Sequence, residues 1–234
     1  MYAQDGKFES KETFFVTEYK KFSQNEDSTN KENLSETFSK SFKQFISENP
    51  ETLHFNFTQL KKAGIDVVTS EDQKLRFYVW DTELGGTMRS YDQIIQYSSN
   101  GKVKTVFSKE QDENHHFVSE IFKTEINSQN YYLVIFNGIF STKDQSQAVQ
   151  AFTIRNNQLV DTDKIFKTKT KSLNRIEAGF DFFSVVDRPE RPLKLIKFEK
   201  DKLYIPVVDN KGIVSKKHLV YQKNNDCFQY IGIK

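Results

Sequence analysis

Aromatic and basic side chains alternate in one short segment, LRFYVWD, in a pattern that can bind a planar ligand. In an extended strand alternate residues share a face, so Arg76, Tyr78 and Trp80 lie together. Arg89 and Tyr91 follow beyond a turn and can join them on a paired strand. Rings and guanidinium groups of this kind stack on sugar rings, peptides or other planar molecules. These five residues are the ligand-binding candidates.

The same face can instead be buried beneath another part of the chain. A stripe of apolar residues at helical spacing runs through LSETFSKSFKQFISENP and needs a surface to cover. A helix docked on the Arg-Tyr-Trp face would bury both surfaces at once. We therefore expect helices to cover this face, with the open platform as the alternative.

Two carboxylates follow directly in the sequence, where the strand enters a glycine-containing turn. Asp81 and Glu83 flank Thr82, and a pair of carboxylates can act as acid and base in glycoside hydrolysis. That chemistry needs a defined separation across a cleft, which a sequence gap of two does not provide. We interpret them as acceptors for the amide groups of the turn, and an acid or base role for either is the alternative.

The densest charged cluster is DRPERP, in which two prolines fix the backbone. Arg188 and Arg191 are the candidates for binding an anion, because two guanidinium groups can clamp a carboxylate or a phosphate. The alternative is a rigid corner between strands, in which Asp187 or Glu190 pairs with these arginines.

The sequence offers little material for a metal or cofactor site. His115 and His116 are adjacent, and adjacent strand residues point to opposite faces. The single cysteine, Cys227, excludes an internal disulfide and a cysteine-rich metal centre. The chain has no Gly-x-Ser-x-Gly elbow, phosphate loop or Gly-x-Gly-x-x-Gly motif. We predict no metal site and no cofactor.

Composition narrows the classes of protein further. The 234 residues carry a net charge of +2, which argues against a nucleic-acid binder that relies on neutralising phosphates. Aromatic residues make up 14% of the chain, and their large rings can supply a core that the low content of aliphatic residues does not. No apolar run approaches the roughly 20 residues that span a bilayer.

Two periodicities divide the chain near Gly64. Before it, Phe15, Tyr19 and Phe22 lie at helical spacing, and Asn33 is placed to cap the next helix. Gly64 itself suits the left-handed residue that ends a helix. We predict an N-terminal helical segment over residues 1–64, packed on the same core as the rest of the chain.

After Gly64 the pattern is that of strands and tight turns. About a dozen short strands are separated by turn signals such as Asn100-Gly101, Asn156-Asn157 and Lys200-Asp201. Short connections predict an antiparallel meander over residues 65–234 that forms a twisted sheet, a sandwich or a partly closed barrel. The fold class is therefore mainly β (α+β), in one cooperative unit; a small β-propeller is the alternative.

The first residues indicate the compartment. Tyr2-Ala3-Gln4-Asp5 resembles the start left after a signal peptide is removed behind an alanine, with Met1 added for expression. The following thirty or so residues are interpreted as a solvated lead-in, which favours the same conclusion. We predict a periplasmic or extracellular protein, with a cytoplasmic location as the alternative.

Three segments, LRFYVWDTELGGTM, NGIFSTKD and FFSVVDRPERPLKLI, carry a resemblance to exported Bacteroidetes proteins without an assigned activity. The resemblance covers most of the chain after residue 34. It implies export and a mainly β domain, and it supplies no activity or site residues. We expect a non-catalytic binding or interaction protein, with a glycan, peptide or protein as partner. The alternative is a hydrolase of an envelope or dietary polymer, with Asp81 or Glu83 as acid or base.

Overall fold

The structure, a computed structural model, describes residues 2–107 and 114–234. The chain divides into two compact units, residues 1–117 and residues 118–234. Strands are the main secondary structure and helices precede them in the sequence, which confirms the predicted mainly β class with an N-terminal helical segment.

The helices and strands have the following bounds. Within the described residues, the helices are α1 (Tyr2–Ser23), α2 (Ser28–Glu48) and α3 (Thr58–Ala63), with short 3-10 turns at Pro50–Leu53 and Phe182–Ser184. The strands are β1 (Asp66–Thr69), β2 (Leu75–Asp81), β3 (Tyr91–Ser99), β4 (Lys102–Phe107), β5 (His116–Ile126), β6 (Gln129–Ile139), β7 (Asp144–Arg155), β8 (Gln158–Val160), β9 (Phe166–Lys167), β10 (Ser172–Leu173), β11 (Arg175–Asp181), β12 (Lys197–Glu199), β13 (Lys202–Val208), β14 (Val214–Lys223) and β15 (Phe228–Ile233).

The first unit is an antiparallel sheet with helices packed on one face. Its strands follow the order β1-β2-β3-β4, and each neighbouring pair is antiparallel. The apolar stripe of α2 is buried against this sheet together with residues of α1, as its periodicity predicts. The core of the unit is largely aromatic: Phe8, Phe15, Tyr19, Phe22, Phe38, Phe42, Phe45, Phe57, Tyr78 and Trp80 belong to one buried cluster.

The start of α2 differs from the prediction. Asp27, rather than Asn33, caps the helix, and its carboxylate accepts hydrogen bonds from the backbone amides of Thr29 and Asn30. The first turn of α2 is polar, since it faces solvent, and it therefore carries no apolar signal. The prediction that the first thirty or so residues form a solvated lead-in is also wrong, because Phe15 in α1 belongs to the buried core.

The short helix α3 ends as its sequence predicts. Gly64 adopts the left-handed conformation with φ of 101° and terminates the helix. The other end is capped from α1: the carboxylate of Glu12, which is buried, accepts hydrogen bonds from the amides of Gln59 at 2.6 Å and Leu60 at 3.0 Å. Glu12 thereby fixes α1 against α3.

The second unit is a sandwich of two sheets. One sheet has the order β11-β7-β6-β5, with β8 added to β7, and the other has the order β10-β9-β15-β14-β13-β12. The facing sides form one buried cluster that includes Leu133 and Val149 from the first sheet and Leu203 and Phe228 from the second. Among the alternatives left open by the sequence, the sandwich fits this unit.

One pair of strands departs from the antiparallel meander. β9 and β15 are parallel, with Phe166 opposite Phe228. The sequence pattern left no room for a crossover between neighbouring strands. The connection is supplied by the long stretch between residues 167 and 228, which builds the rest of the sheet before returning.

Tight hairpins occur where the sequence predicts them. Asn100-Gly101, Asn156-Asn157 and Lys200-Asp201 have positive φ at both residues and join β3 to β4, β7 to β8 and β12 to β13. The turn between β5 and β6 lies at Asn127-Ser128, where both residues also have positive φ.

The compact units do not divide where the periodicity changes. The predicted change from helix to strand at residue 64 lies inside the first unit, which also contains β1 to β4. The division falls at the beginning of β5 instead, within an unbroken series of strands. That the chain unfolds as one cooperative unit stays a prediction.

Candidate functional site

The Arg76-Tyr78-Trp80 face of β2 lies beneath the helices. Trp80 is fully buried, and its ring packs edge-on against Phe38 at 5.6 Å and Phe42 at 5.5 Å between ring centroids. Tyr78 is fully buried as well and lies edge-on to Phe42. The helices therefore cover this face, as expected, and it does not form an open stacking platform.

The polar atoms of that face hold the helical layer in place. The Arg76 guanidinium donates to the backbone carbonyls of Thr52 and Phe55, both at 2.7 Å, and to the hydroxyl of Thr69. The hydroxyl of Tyr78 donates to Gln96 at 2.7 Å and lies 3.0 Å from the carbonyl of Thr52. Burial raises the pKa of Tyr78 to about 12. These groups bind the Pro50–Leu53 turn to the sheet and have a structural role.

The two glycines after β2 allow the chain to turn back sharply. A side-chain carbon at Gly85 would lie 2.0 Å from the carbonyl oxygen of Met88, so only glycine fits this approach. Gly86 has a positive φ of 61°. The backbone amide of Thr82 donates to Ser90 across the turn at 2.8 Å. The turn thereby returns Arg89 toward the end of β2.

Arg89 lies between the two carboxylates that follow Trp80. Its Nη1 atom is 3.1 Å from Asp81 and 3.3 Å from Glu83, so one nitrogen bridges both side chains. The other oxygen of Asp81 accepts the backbone amide of Glu83 at 2.7 Å, as the turn interpretation predicts. Burial raises the pKa of Asp81, although the Glu83 amide and Arg89 act in the opposite direction.

Asp66, which the sequence reasoning missed, lies near this cluster. It pairs with Val79 at the start of β1 and is a diagonal neighbour of Asp81 on the same face of the sheet. Burial raises the pKa of Asp66 to about 6. Burial and then Asp81 also raise the pKa of Tyr19 and Tyr91 above the ordinary tyrosine value. A single Asp at a strand start gives no distinctive sequence signal.

The sequence-predicted site residues therefore fall into two groups on one hairpin. Arg76, Tyr78 and Trp80 are enclosed on the helix side of β2. Arg89 lies in the turn and Tyr91 begins β3; both are partly exposed, and Arg89 is beside the two predicted acid or base candidates. The five ligand-binding candidates do not form one surface.

The arginine candidates in DRPERP form a local corner. Arg191 donates to the backbone carbonyls of Arg188, Glu190 and Val186, and its guanidinium lies over the ring of Phe182. The partners of Arg191 are thus carbonyl groups of its own loop rather than the carboxylates that the corner interpretation named. Its guanidinium donors are thus used within the loop and are not arranged to clamp an anion.

The histidines occupy separate positions. The Nδ1 atom of His115 lies 2.9 Å from the carbonyl oxygen of Arg89, while His218 is on β14. Burial and the charges of Lys197 and Arg188 lower the pKa of His218. Within the described residues, no three His, Cys, Asp or Glu side chains are grouped closely enough to hold a metal ion.

A groove in the second unit was not predicted from the sequence. It has a volume of about 470 Å³, within the range of about 300–1,000 Å³ that small-molecule sites occupy. It lies where β7 and β11 meet the turn between β13 and β14. Charged, polar, aromatic and glycine residues line it: Phe140, Lys143, Asp144, Gln145, Ser146, Glu177, Gly179, Phe180, Asp181, Lys211 and Gly212.

Backbone geometry holds the walls of this groove together. The amide of Asp181 donates to the carbonyl of Gly212 at 2.8 Å, which joins the end of β11 to the turn. Gly212 has a φ of 83°, and a side-chain carbon there would lie only 3.0 Å from the Asp181 amide nitrogen. Gly179 lies inside β11 and is the residue whose type could have indicated this groove from the sequence. A glycine within a strand marks a close approach of another group or an opening.

Comparison with known proteins gives no relative for this chain. No family model, no curated protein and no solved structure matches it. Among the described residues, none of the helices combines the length and apolar character that crossing a membrane requires.

Proposed function

We propose that this chain is a non-catalytic binding protein and that its ligand occupies the groove between β7, β11 and the β13–β14 turn. The observation that carries the proposal is the lining of this groove, which combines fixed carboxylates, lysine side chains and the half-buried ring of Phe140 in one concave surface. The aromatic surface of β2 does not serve this purpose, since the helices bury it.

The carboxylates next to β2 also support a binding rather than a catalytic role. Asp81 and Glu83 share one nitrogen of Arg89 and one turn, and this arrangement ties both to local partners. A hydrolytic pair needs one carboxyl on each side of a substrate. The two residues lie on the same side of the hairpin turn.

A variant that fills the groove tests the proposal. A side-chain carbon at Gly179 would lie 3.9 Å from the nearest atom, the carbonyl oxygen of Gln145, so Gly179→Arg fits the backbone and projects a long side chain. Arrays of glycans and peptides should give hits with the unchanged chain that Gly179→Arg loses. Gln158→Arg, at an exposed position of β8, adds the same charge and should keep the hits. Hits that survive Gly179→Arg would contradict the proposal.

Export to the periplasm or the exterior is part of the proposal. Its support is the resemblance of residues beyond 34 to exported proteins. The buried position of Phe15 removes the argument from a solvated lead-in, because the early residues contribute to the core. Fractionation of cells that express the native gene tests this, and recovery of the protein in the cytoplasm would contradict it.

A second candidate function, hydrolysis of a polymer, is favoured by Asp66. A general acid that works near neutral pH needs a raised pKa, and burial gives Asp66 a pKa of about 6. Asp81, its diagonal neighbour, would act as the second carboxylate. In this version Asp66, rather than Glu83, is the acid. Release of reducing ends from polysaccharides that Asp66→Asn and Asp81→Asn each abolish would establish hydrolysis and displace the binding proposal.

A further inference from the structure

We infer that the ligand of the groove is a neutral oligosaccharide. This inference rests on the proposed function, since it names the chemical class of ligand for the same site. Three properties of the lining carry it: balanced charge, acceptors fixed in advance by the fold, and lysine donors beside an aromatic ring.

The balance of charge disfavours strongly charged ligands. Lys143 and Lys211 face three carboxylates in the lining, and one of these, Glu177, is neutralised by Arg175 through two contacts of 3.1 and 3.2 Å. The remaining charges cancel. A phosphate, a sulfated chain or a nucleic acid would meet carboxylates, and a polycation would meet lysines. A neutral molecule is repelled neither by the carboxylates nor by the lysines.

Hydrogen bonds within the protein fix the acceptors before a ligand arrives. Ser146 donates to Glu177 at 2.6 Å, the amide of Phe183 donates to Asp181 at 2.9 Å, and Ser141 donates to Asp144 at 2.9 Å. Each carboxylate has about four sites for accepting hydrogen bonds, so Asp144 and Asp181 are oriented and keep capacity for a ligand, whereas Ser146 and Arg175 largely occupy Glu177. Fixed acceptors lower the entropy cost of binding several hydroxyl groups at once.

Donors lie beside these acceptors. The Nζ atom of Lys143 is 3.6 Å from Asp181, beyond the usual range for a hydrogen bond, so each of the two retains capacity for a ligand. Lys211 is exposed. A sugar hydroxyl both donates and accepts, and it can therefore bridge a carboxylate and a lysine as water does.

The shape of the groove suits a ring. Phe140, which is half-buried, provides apolar surface in the lining, and Gly179 adds no side chain to the exposed floor of β11. The ring of Phe180 belongs to the buried core. The C–H groups on one face of a sugar ring can cover an aromatic side chain while the hydroxyl groups at its edge meet polar partners. A peptide would instead carry charged termini and side chains into a lining whose charges already balance.

Titration with defined probes distinguishes the classes of ligand. Neutral oligosaccharides, sulfated oligosaccharides and short peptides are titrated separately into the full chain by calorimetry. We expect a neutral oligosaccharide to bind, and Gly179→Arg to weaken that binding by about tenfold or more. Lys211→Met should weaken it several-fold through the loss of one charged donor. Lys216→Met, at an exposed position of β14, is the matched control and should bind as the unchanged chain does.

The outcomes separate this inference from the proposed function. Binding of a sulfated probe or a peptide that Gly179→Arg abolishes would overturn the neutral oligosaccharide and keep the groove as a binding site. Binding of a neutral oligosaccharide that neither Gly179→Arg nor Lys211→Met weakens would overturn both. Absence of binding by all three classes of probe would also overturn both. Circular dichroism of each variant shows that its fold is retained.

Discussion

The covered face of β2 and the turn that follows it carry similar residue types in opposite surroundings. On the covered face, the rings of Tyr78 and Trp80 pack beneath the helices, and Arg76 and Tyr78 bond to backbone carbonyls. At the turn, Arg89 and Tyr91 are partly exposed and lie close to ionised side chains.

This difference shows that residue type alone does not define a binding surface. A guanidinium beside aromatic rings can bind a ligand when the surface is exposed to solvent. When another layer of the protein supplies carbonyl partners, the same group stabilises the packing of that layer instead. Arg76 has such partners at 2.7 Å, whereas Arg89 has carboxylates and solvent. We therefore expect large losses of stability from changes on the covered face of β2 and small ones from changes at the turn.

The largest effect is expected at Trp80. Trp80→Ala removes a fully buried ring and should lower the free energy of unfolding by about 3–5 kcal/mol. Chemical denaturation followed by circular dichroism measures this change. Leu84→Ala, at an exposed position of the adjacent turn, is the control and should change the free energy by less than about 0.5 kcal/mol. Equal effects for the two variants would contradict the buried position of Trp80.

A smaller loss is expected at Arg76. Arg76→Met keeps much of the volume but leaves the carbonyls of Thr52 and Phe55 without their donor, which should cost about 2–3 kcal/mol. Arg76→Lys should restore only part of the loss, because one ammonium group lacks the planar fork. Denaturation monitored by the fluorescence of Trp80 tests both. An Arg76→Met variant with unchanged stability would show that the hydrogen bonds of Arg76 do not hold the helices on the sheet.

The stability of the chain should depend on pH through Asp66, at the start of β1. The pKa of Asp66 is raised from 3.8 to about 6 in the folded chain, so the folded state holds the proton more tightly. Its contribution to stability is present below about pH 4 and is lost as the pH rises through about 6. Asp66→Asn should therefore stabilise the chain by about 1–3 kcal/mol at pH 8 and by little at pH 4. Denaturation midpoints at the two pH values measure this, and an equal effect at both would be inconsistent with burial of the carboxyl.

The smallest effect is expected at Arg89. Its contacts with Asp81 and Glu83 are partly exposed, and ion pairs in such positions contribute about 0–1 kcal/mol. Arg89→Gln should change the free energy of unfolding within that range, and less at high salt. A loss as large as that for Arg76→Met would remove the distinction between the covered face and the turn.

The first unit follows closely from its sequence. The apolar stripe of α2 predicted that one face of the helix packs on the rest of the protein. The Arg-Tyr-Trp face of β2 is the surface that it covers, because packing the two together buries the apolar side chains of both. The cap of α2 was misplaced since Asp27 and Asn33 are both good caps, and the helical residues between them face solvent. A polar stretch of helix that faces solvent shows little hydrophobic periodicity in its sequence.

The division into units and the groove depend on long-range packing. Strand patterns continue without interruption across residues 117 and 118, so alternation alone gave no boundary. The groove combines residues 140–146, 177–181 and 211–212, which are far apart in the sequence. Local patterns predict elements and their buried faces, but they do not show which distant loops meet.

The fluorescence of Trp80 in the unmodified protein tests the central claim most directly, because the chain contains a single indole. The claim is that the helices cover the aromatic face of β2. Emission should be shifted to the blue, and added iodide should not quench it until denaturant unfolds the chain. Red-shifted emission that iodide quenches under native conditions would contradict the account and restore this face as an open ligand platform.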